Sequence, residues 1–261
     1  MKFSVCIKQV PDVSAPISIK DGNISQDTDR MVLDAYSASA VEEALVLTEK
    51  HGGEVEVVLA GPDKAKETIR KALAMGASSG VHIHVENTDG LDSSAYAEIL
   101  AAYHKTAEYD VILTGKQSQD TDAGLTGGMM AWKLELPYAA NAVGLTYDEA
   151  GNKLTVKRQG DSGQEMVELS MPCLVTCSND MNDPRIPSLK GIMQSKRKPV
   201  KTVTLEELGL SLDSLTGSVS GTESKGFSEV PGREPGKKFE GDPEELVSTL
   251  CNLLENEAKV L

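Results

Sequence analysis

Glu54–Val85, EVEVVLAGPDKAKETIRKALAMGASSGVHIHV, is the stretch from which the fold can be read. Glu54–Gly61 is short, apolar and rich in valine, as a buried strand is. Pro62 opens a helix that runs through Ala74, because its fixed φ suits the first helical turn. Gly76 ends that helix, and Gly80–Val85 is a second apolar strand. Strand, helix and strand joined by short connections form a βαβ unit, which implies parallel pairing.

The same alternation extends on both sides. Phe3–Val10 reads as a buried strand ending at Pro11. Ile17–Ile19 and Asn23–Ser25 flank Asp21-Gly22, a two-residue hairpin signal. Ser39–Lys50 reads as an amphipathic helix with a Ser39/Glu42 capping box, closed by Gly52 and Gly53. Ser93–Ala107 is a helix, Asp110–Gly115 a strand and Ala123–Leu134 a helix. After Pro137 the rhythm changes. Ala142–Tyr147, Lys153–Arg158 and Glu165–Met171 are short strands spaced by glycines, as in an antiparallel meander at a sheet edge. The expected fold class is α/β: a doubly wound, mostly parallel, Rossmann-like sheet with an added meander and a C-terminal arm. Residues 1–210 form the α/β domain. Residues 211–261 form the arm, of which 211–241 is rich in Gly, Ser, Glu and Pro. Pro243–Leu261 reads as a helix whose Leu246, Val247, Leu250, Leu253 and Leu254 form one stripe, to be covered by its own domain or by a partner.

Composition narrows the function. The 261 residues are 39% hydrophobic and 25% charged, an ordinary globular balance. A net charge of −14 disfavours nucleic acid and anionic membrane as partners, and 4% aromatics argue against base-stacking surfaces. No apolar run is long enough for a membrane span, and MKFSVCIKQVPD has too short an apolar core for a signal peptide. Cys6, Cys173, Cys177 and Cys251 have neither disulfide nor metal spacing, so the expectation is reduced thiols in a cytoplasmic protein. His51, His82, His84 and His104 are scattered, with no catalytic or metal-ligating pattern.

Two segments carry function. GKQSQDTDAGLTGG, Gly115–Gly128, follows a strand and leads into a helix, where open parallel sheets hold ligands. Gly124, Gly127 and Gly128 permit close backbone approach, and Ser118, Thr121 and Thr126 offer hydroxyls. A helix N-terminus suits a phosphate. Asp120 and Asp122 suit capping or ribose hydroxyls better than phosphate. Neither a P-loop nor the G-x-G-x-x-G fingerprint is present, which counts against nucleotide hydrolysis. A flexible glycine loop without a ligand is the plainer alternative. The second segment, VTCSNDMNDPRIPSLKGIMQSKRKP at Val175–Pro199, breaks at Pro184 and Pro187 and gathers Lys190, Lys196, Arg197, Lys198 and Lys201. It is either a solvated loop or a docking surface.

These segments also carry a resemblance. VKRQGDSGQE, MPCLVT, NDPR and SLKGIMQSKRKP match, in order, the signature of the electron transfer flavoprotein beta subunit. The likeness continues at Cys6–Val10, Ala40–Ala44, Ala72–Ala77 and Gly115–Gln117, and covers roughly residues 1–210. It implies a heterodimer with an alpha subunit that holds most of an FAD, and electron transfer from an acyl-CoA dehydrogenase or similar flavoenzyme. It implies an adenine-nucleotide site at Cys6, Asp34, Ala35, Tyr36, Ser37, Ala60 and Gly61. Gln117, Ser118 and the run Asp120, Thr121, Asp122, Ala123, Gly124, Leu125, Thr126, Gly127 and Gly128 complete that site. Glu165 would lie near the flavin ring, whereas Val13 stands where the family often has an aromatic residue. Residues 179–199 would be the recognition loop, with Met181, Asn182, Pro184, Arg185 and Leu189 as docking residues and Met181 as the anchor; Ile186 replaces a usual tyrosine.

One class within that family holds AMP in the beta subunit. Another holds a second FAD there and bifurcates electrons from NADH, with the pattern D-G-D-T-A-Q-V-G-P. Asp120–Gly128 departs from that pattern at six of nine positions, and Thr126-Gly127 resembles the AMP class. The reading therefore leans to AMP, with a second FAD as alternative. A stand-alone nucleotide sensor, similar to a universal stress protein, would need neither the Asn179 loop nor the arm.

Overall fold

The computed structural model describes residues 1–26, 30–233 and 235–261; Glu234, inside the expected arm, lies outside the described residues. Contacts divide the chain into two units, Met1–Gly226 and Phe227–Leu261.

In the first unit the apolar runs become strands. The expected Phe3–Val10 strand is split in two. β1 (Lys2–Cys6) enters the main sheet, and β2 (Gln9–Pro11) pairs with β5 (Met31–Leu33) in a small sheet of its own. Between them β3 (Ile17–Lys20) and β4 (Asn23–Gln26) form the hairpin expected around Asp21-Gly22, both at positive φ. The βαβ unit follows the reading: β6 (Glu54–Gly61), α2 (Lys66–Met75) and β7 (Ser79–His84), after α1 (Ala35–His51). Then come α3 (Ser93–His104), β8 (Val111–Gly115) and α4 (Thr126–Lys133). The meander is β9 (Tyr138–Asp148), β10 (Lys153–Gly160) and β11 (Gly163–Ser170), followed by β12 (Cys173–Cys177), α5 (Leu189–Ser195) and β13 (Val200–Thr204).

Among the described residues nine strands form one sheet, ordered β11-β10-β9-β12-β8-β1-β6-β7-β13. It is parallel from β9 to β13, with β10 and β11 added antiparallel at one edge. α1 and α2 pack on one face through Val41, Leu45, Ile69 and Leu73; α3 and α4 cover the other through Ile99, Leu100 and Met130. Each sheet face is thus sealed by two helices, which is why β1 and β8 are buried at all but one residue each. From β1 the chain winds outward through β6 and β7, then returns to β8 on the other side. The strand order therefore reverses between β1 and β8, and a crevice opens at their C-terminal ends.

Two of the boundaries that differ from the sequence reading bear on the site. α1 starts four residues before Ser39, because Asp34 is its cap: its Oδ2 accepts from the amide and hydroxyl of Ser37. Ser39 and Glu42 lie buried inside the helix and make no capping box. α4 starts at Thr126 rather than Ala123, since Asp122 takes a left-handed φ of 53 and turns the chain before the helix. The first unit also extends beyond residue 210. α6 (Leu212–Ser214) leads into a turn that buries Leu215 completely against the α3 side.

In the second unit α7 (Pro243–Asn256) is capped by Asp242, with Pro at its start. No residue of α7 is buried, and Val247 and Leu250 are exposed.

Candidate functional site

The crevice at the β1/β8 reversal is a cavity of about 910 Å³, near the top of the range for small-molecule sites. Its walls come from strand ends and helix starts: Cys6 at the end of β1 and Lys8 just after it, Ala60 and Gly61 at the end of β6, Asp34 and Ser37 at the start of α1, and the loop after β8. This brings together Cys6, Asp34, Ser37, Ala60, Gln117, Ser118, Asp120 and Thr121 with Asp122–Gly127. Ala35, Tyr36 and Gly128 stand beside the cavity. The Ala35 amide donates to Gln119 Oε1, Tyr36 carries Lys116 Nζ 5.9 Å over its ring, and Gly128 faces the Tyr138 hydroxyl.

The backbone there is built for close approach. A Cβ on Gly127 would meet Thr176 at 2.5 Å and Thr114 Oγ1 at 2.8 Å, so α4 sits tight on the sheet only with glycine. A Cβ on Gly115 would meet Tyr36 at 2.8 Å. α4 has no side-chain cap, so the first-turn amides after Leu125 are left to a guest. α1, by contrast, is capped by Asp34.

Polar groups fix the loop. Asp34, almost fully buried, accepts from the Gln119 amide with its other oxygen, stapling the loop to α1. Burial pushes its carboxyl up against the pull of those hydrogen bonds. Lys8 Nζ reaches across from β1 to both oxygens of Asp120 at 2.8 Å and to Ser118 Oγ at 3.2 Å. Burial raises the Asp120 carboxyl, but the Lys8 ammonium outweighs it and holds it below the ordinary range. Ser118 and Thr121 hydroxyls are 3.0 Å apart, and Asp122 accepts from Gln117 Nε2 at 2.9 Å. The two aspartates are thus committed within the loop. Burial pushes the Cys6 thiol up to about 12, so it is a neutral wall.

The chain after β12 is built differently. Asn182 Nδ2 donates to the Ser39 carbonyl and to Glu43 Oε2; Glu43 Oε1 accepts from the Leu145 amide. The Arg185 guanidinium forks between Glu42 (Nε–Oε2 2.8 Å, Nη2–Oε1 2.9 Å) and Glu49. Met181, expected at the exposed tip, is half-buried and packs on the core beneath. Pro184 is half-buried too. The exposed large apolar residues are Ile186, at 92%, Leu189, at 83%, Ile192 and Met193. Of the basic cluster, Lys198 donates to the carbonyls of Leu73, Gly76 and Ala77 at the end of α2, and so serves the fold.

At the meander, Glu165 is half-exposed and pairs with Arg158 of its own chain, Nη1–Oε2 2.8 Å, across the β10–β11 ladder. Asn141 nearby holds a left-handed φ of 57, and its buried Oδ1 has no partner. Val13 is exposed.

Sequence reading missed Lys8, whose partner lies 112 residues away. Its place just after a buried strand was the available signal. It also missed Tyr96, Asp92, Thr222 and Ser224, which line the same cavity. Among the described residues no group of three or more His, Cys, Asp or Glu stands together to hold a metal, and no helix is long and apolar enough to cross a membrane.

Residues 22–208 match the family model described as electron transfer flavoprotein domain. The chain is 33% identical to the electron transfer flavoprotein subunit beta of Bacillus subtilis (strain 168), aligned over 100% of both. It is 35% identical to the corresponding subunit of Syntrophomonas wolfei, over 100% of this chain and 98% of that one. It is 32% identical to the caffeyl-CoA reductase-Etf complex subunit CarD of Acetobacterium woodii, over 92% of each.

Proposed function

The chain belongs to the electron transfer flavoprotein family, as a beta subunit, and on that premise we propose how its parts serve electron transfer. It pairs with an alpha subunit, shares an FAD with it, and carries electrons from an acyl-CoA dehydrogenase or similar flavoenzyme to a further acceptor. The crevice at the β1/β8 reversal holds AMP. The observation that carries this is the match of that crevice to an adenylate: bare first-turn amides of α4, glycine backbone at Gly115, Gly124 and Gly127, and one lysine, Lys8, poised on Asp120. The lysine can turn from the carboxylate to a phosphate without leaving the site. Cys6 and Ala60 supply an uncharged wall for a base.

FAD, when bound, supplies the redox chemistry. The residues of this chain hold and present it. Asn141 Oδ1 is an unclaimed buried acceptor beside the Arg158–Glu165 pair, so this patch of the meander fits a polar ring edge such as a flavin's. Arg158 keeps the Glu165 charge in place there. Residues 179–189 dock the donor through Ile186 and Leu189, and α7 with its exposed Val247 and Leu250 packs on the alpha subunit.

The cavity volume also favours one second reading, a second FAD in place of AMP. Purified heterodimer settles both. A visible spectrum with flavin and adenylate counted per heterodimer should give one flavin and one AMP. Two flavins and no AMP would establish the second reading, and no adenine compound in this chain would remove both.

A further inference from the structure

The cavity has a wall that the strand ends do not supply. Thr222 and Ser224, beyond the last strand, line it opposite the glycine loop. One side chain fastens this run at Gly221 and Thr222. Asp92 Oδ1 accepts from the amides of Ser94 (2.9 Å) and Ala95 (3.0 Å) and caps α3. Its Oδ2 accepts from the amides of Gly221 (2.8 Å) and Thr222 (3.0 Å) and from Thr222 Oγ1 (3.0 Å). Ser220 Oγ adds one bond to the Gly90 carbonyl, at 2.8 Å.

The segment has little else to hold it. Residues 221–226 are exposed and without regular structure. Its base is firm, because Leu215 is fully buried on the α3 side. A firm base, a short irregular run and a single polar fastening make a part that opens at low cost while the sheet stays intact.

We propose that Ser220–Ser224 is a strap across the nucleotide pocket, that Asp92 is its fastening, and that release of this fastening sets how fast bound adenylate exchanges. The proposal rests on the nucleotide reading above. Asp92 is a positioning residue. It serves a helix with one oxygen and the strap with the other.

The test uses the purified heterodimer with its bound adenylate, chased with excess labelled AMP, alongside hydrogen exchange at the strap amides. Asp92→Asn separates the two duties. Asparagine caps a helix as well as aspartate does, but it has one oxygen, and its NH₂ would face the three donors of the strap. Exchange should speed up about tenfold, as the loss of two to three modest hydrogen bonds implies. The Gly221 and Thr222 amides should lose protection, with flavin content unchanged. Thr222→Val removes only the hydroxyl contact, leaves α3 alone, and should speed exchange about threefold; it carries the test if Asp92→Asn does not assemble. Exchange within twofold of the unaltered protein in these variants, or strap amides already unprotected before any substitution, overturns the proposal. A heterodimer purified without adenylate overturns the nucleotide reading, and this inference with it. Adenylate present with exchange unmoved overturns this inference alone.

Discussion

β8 and β12 lie side by side and parallel, and each ends in a loop, yet the loops are built to opposite plans. The loop after β8 is rich in glycine, hydroxyls and short acids. Its helix start is uncapped, and besides its own Lys116 it draws a second cation, Lys8, from the end of another strand. The loop after β12 commits its polar groups internally. Arg185 forks onto Glu42 and Glu49, and Asn182 onto Glu43 and Ser39, while Ile186 and Leu189 face water beside the exposed Asp183 and Lys190. A pocket for a small polar guest must keep hydrogen-bonding groups available and let the backbone come close. A surface for a protein partner must arrive rigid, since ordering a loop on contact costs affinity. At one end of the sheet the two loops thus differ in what each does with its charges.

The comparison can be broken from either side. The largest effect is expected at Arg185. Arg185→Ala leaves Glu42 buried without its cation, which should cost about 3 kcal/mol in urea unfolding and raise the KM for the flavoenzyme donor. Adenylate content should stay the same. Next is Gly127→Ala, where the new Cβ forces α4 off the sheet. It should cost about 2 kcal/mol and empty the nucleotide pocket while donor KM is spared. Lys8→Met removes the borrowed cation and leaves Asp120 to face a phosphate alone, so adenylate should be retained about tenfold less tightly in equilibrium dialysis. Ile186→Ala, at a 92% exposed position, should change stability by no more than about 0.5 kcal/mol and weaken donor docking about fivefold.

The smallest effect is a pH slope. Burial raises the Glu43 carboxyl, and the bonds from Asn182 and Leu145 only partly offset it. The folded state therefore keeps that proton at pH values where the unfolded chain has released it. This contribution is present below the ordinary carboxylate range and is lost as pH rises through the raised value. Glu43→Gln should flatten that slope when urea midpoints at about pH 5 and about pH 7.5 are compared.

Much of this was legible because apolar runs and glycine stops are local signals. Glu54–Gly61, Pro62 and Gly76 placed the βαβ unit, and the glycines after Pro137 marked the meander. What escaped is held by partners far along the chain. Ser39-Ala-Val-Glu42 looks like a capping box by itself, but Asp34 wins because Gln119, from the far loop, takes its second oxygen. Lys8 carries no signal of its own in the Phe3–Val10 run, because its partner Asp120 comes near only when β1 and β8 are adjacent. The polar composition after residue 210 reads as an arm. It hides Leu215 and the run fastened to Asp92, because a strap held by hydrogen bonds leaves no apolar pattern. In the loop after β12, Met181, the anchor that the resemblance implies, is half-buried on the core, while Ile186 faces outward.

The central claim is that this chain works as half of a flavin-bearing pair. Affinity purification of the tagged chain from its native source, with visible absorbance read on the eluate, tests it most directly. The account predicts a yellow complex with one companion subunit, bleached by a reduced flavoenzyme donor. A colourless eluate of this chain alone, indifferent to that donor, would contradict it.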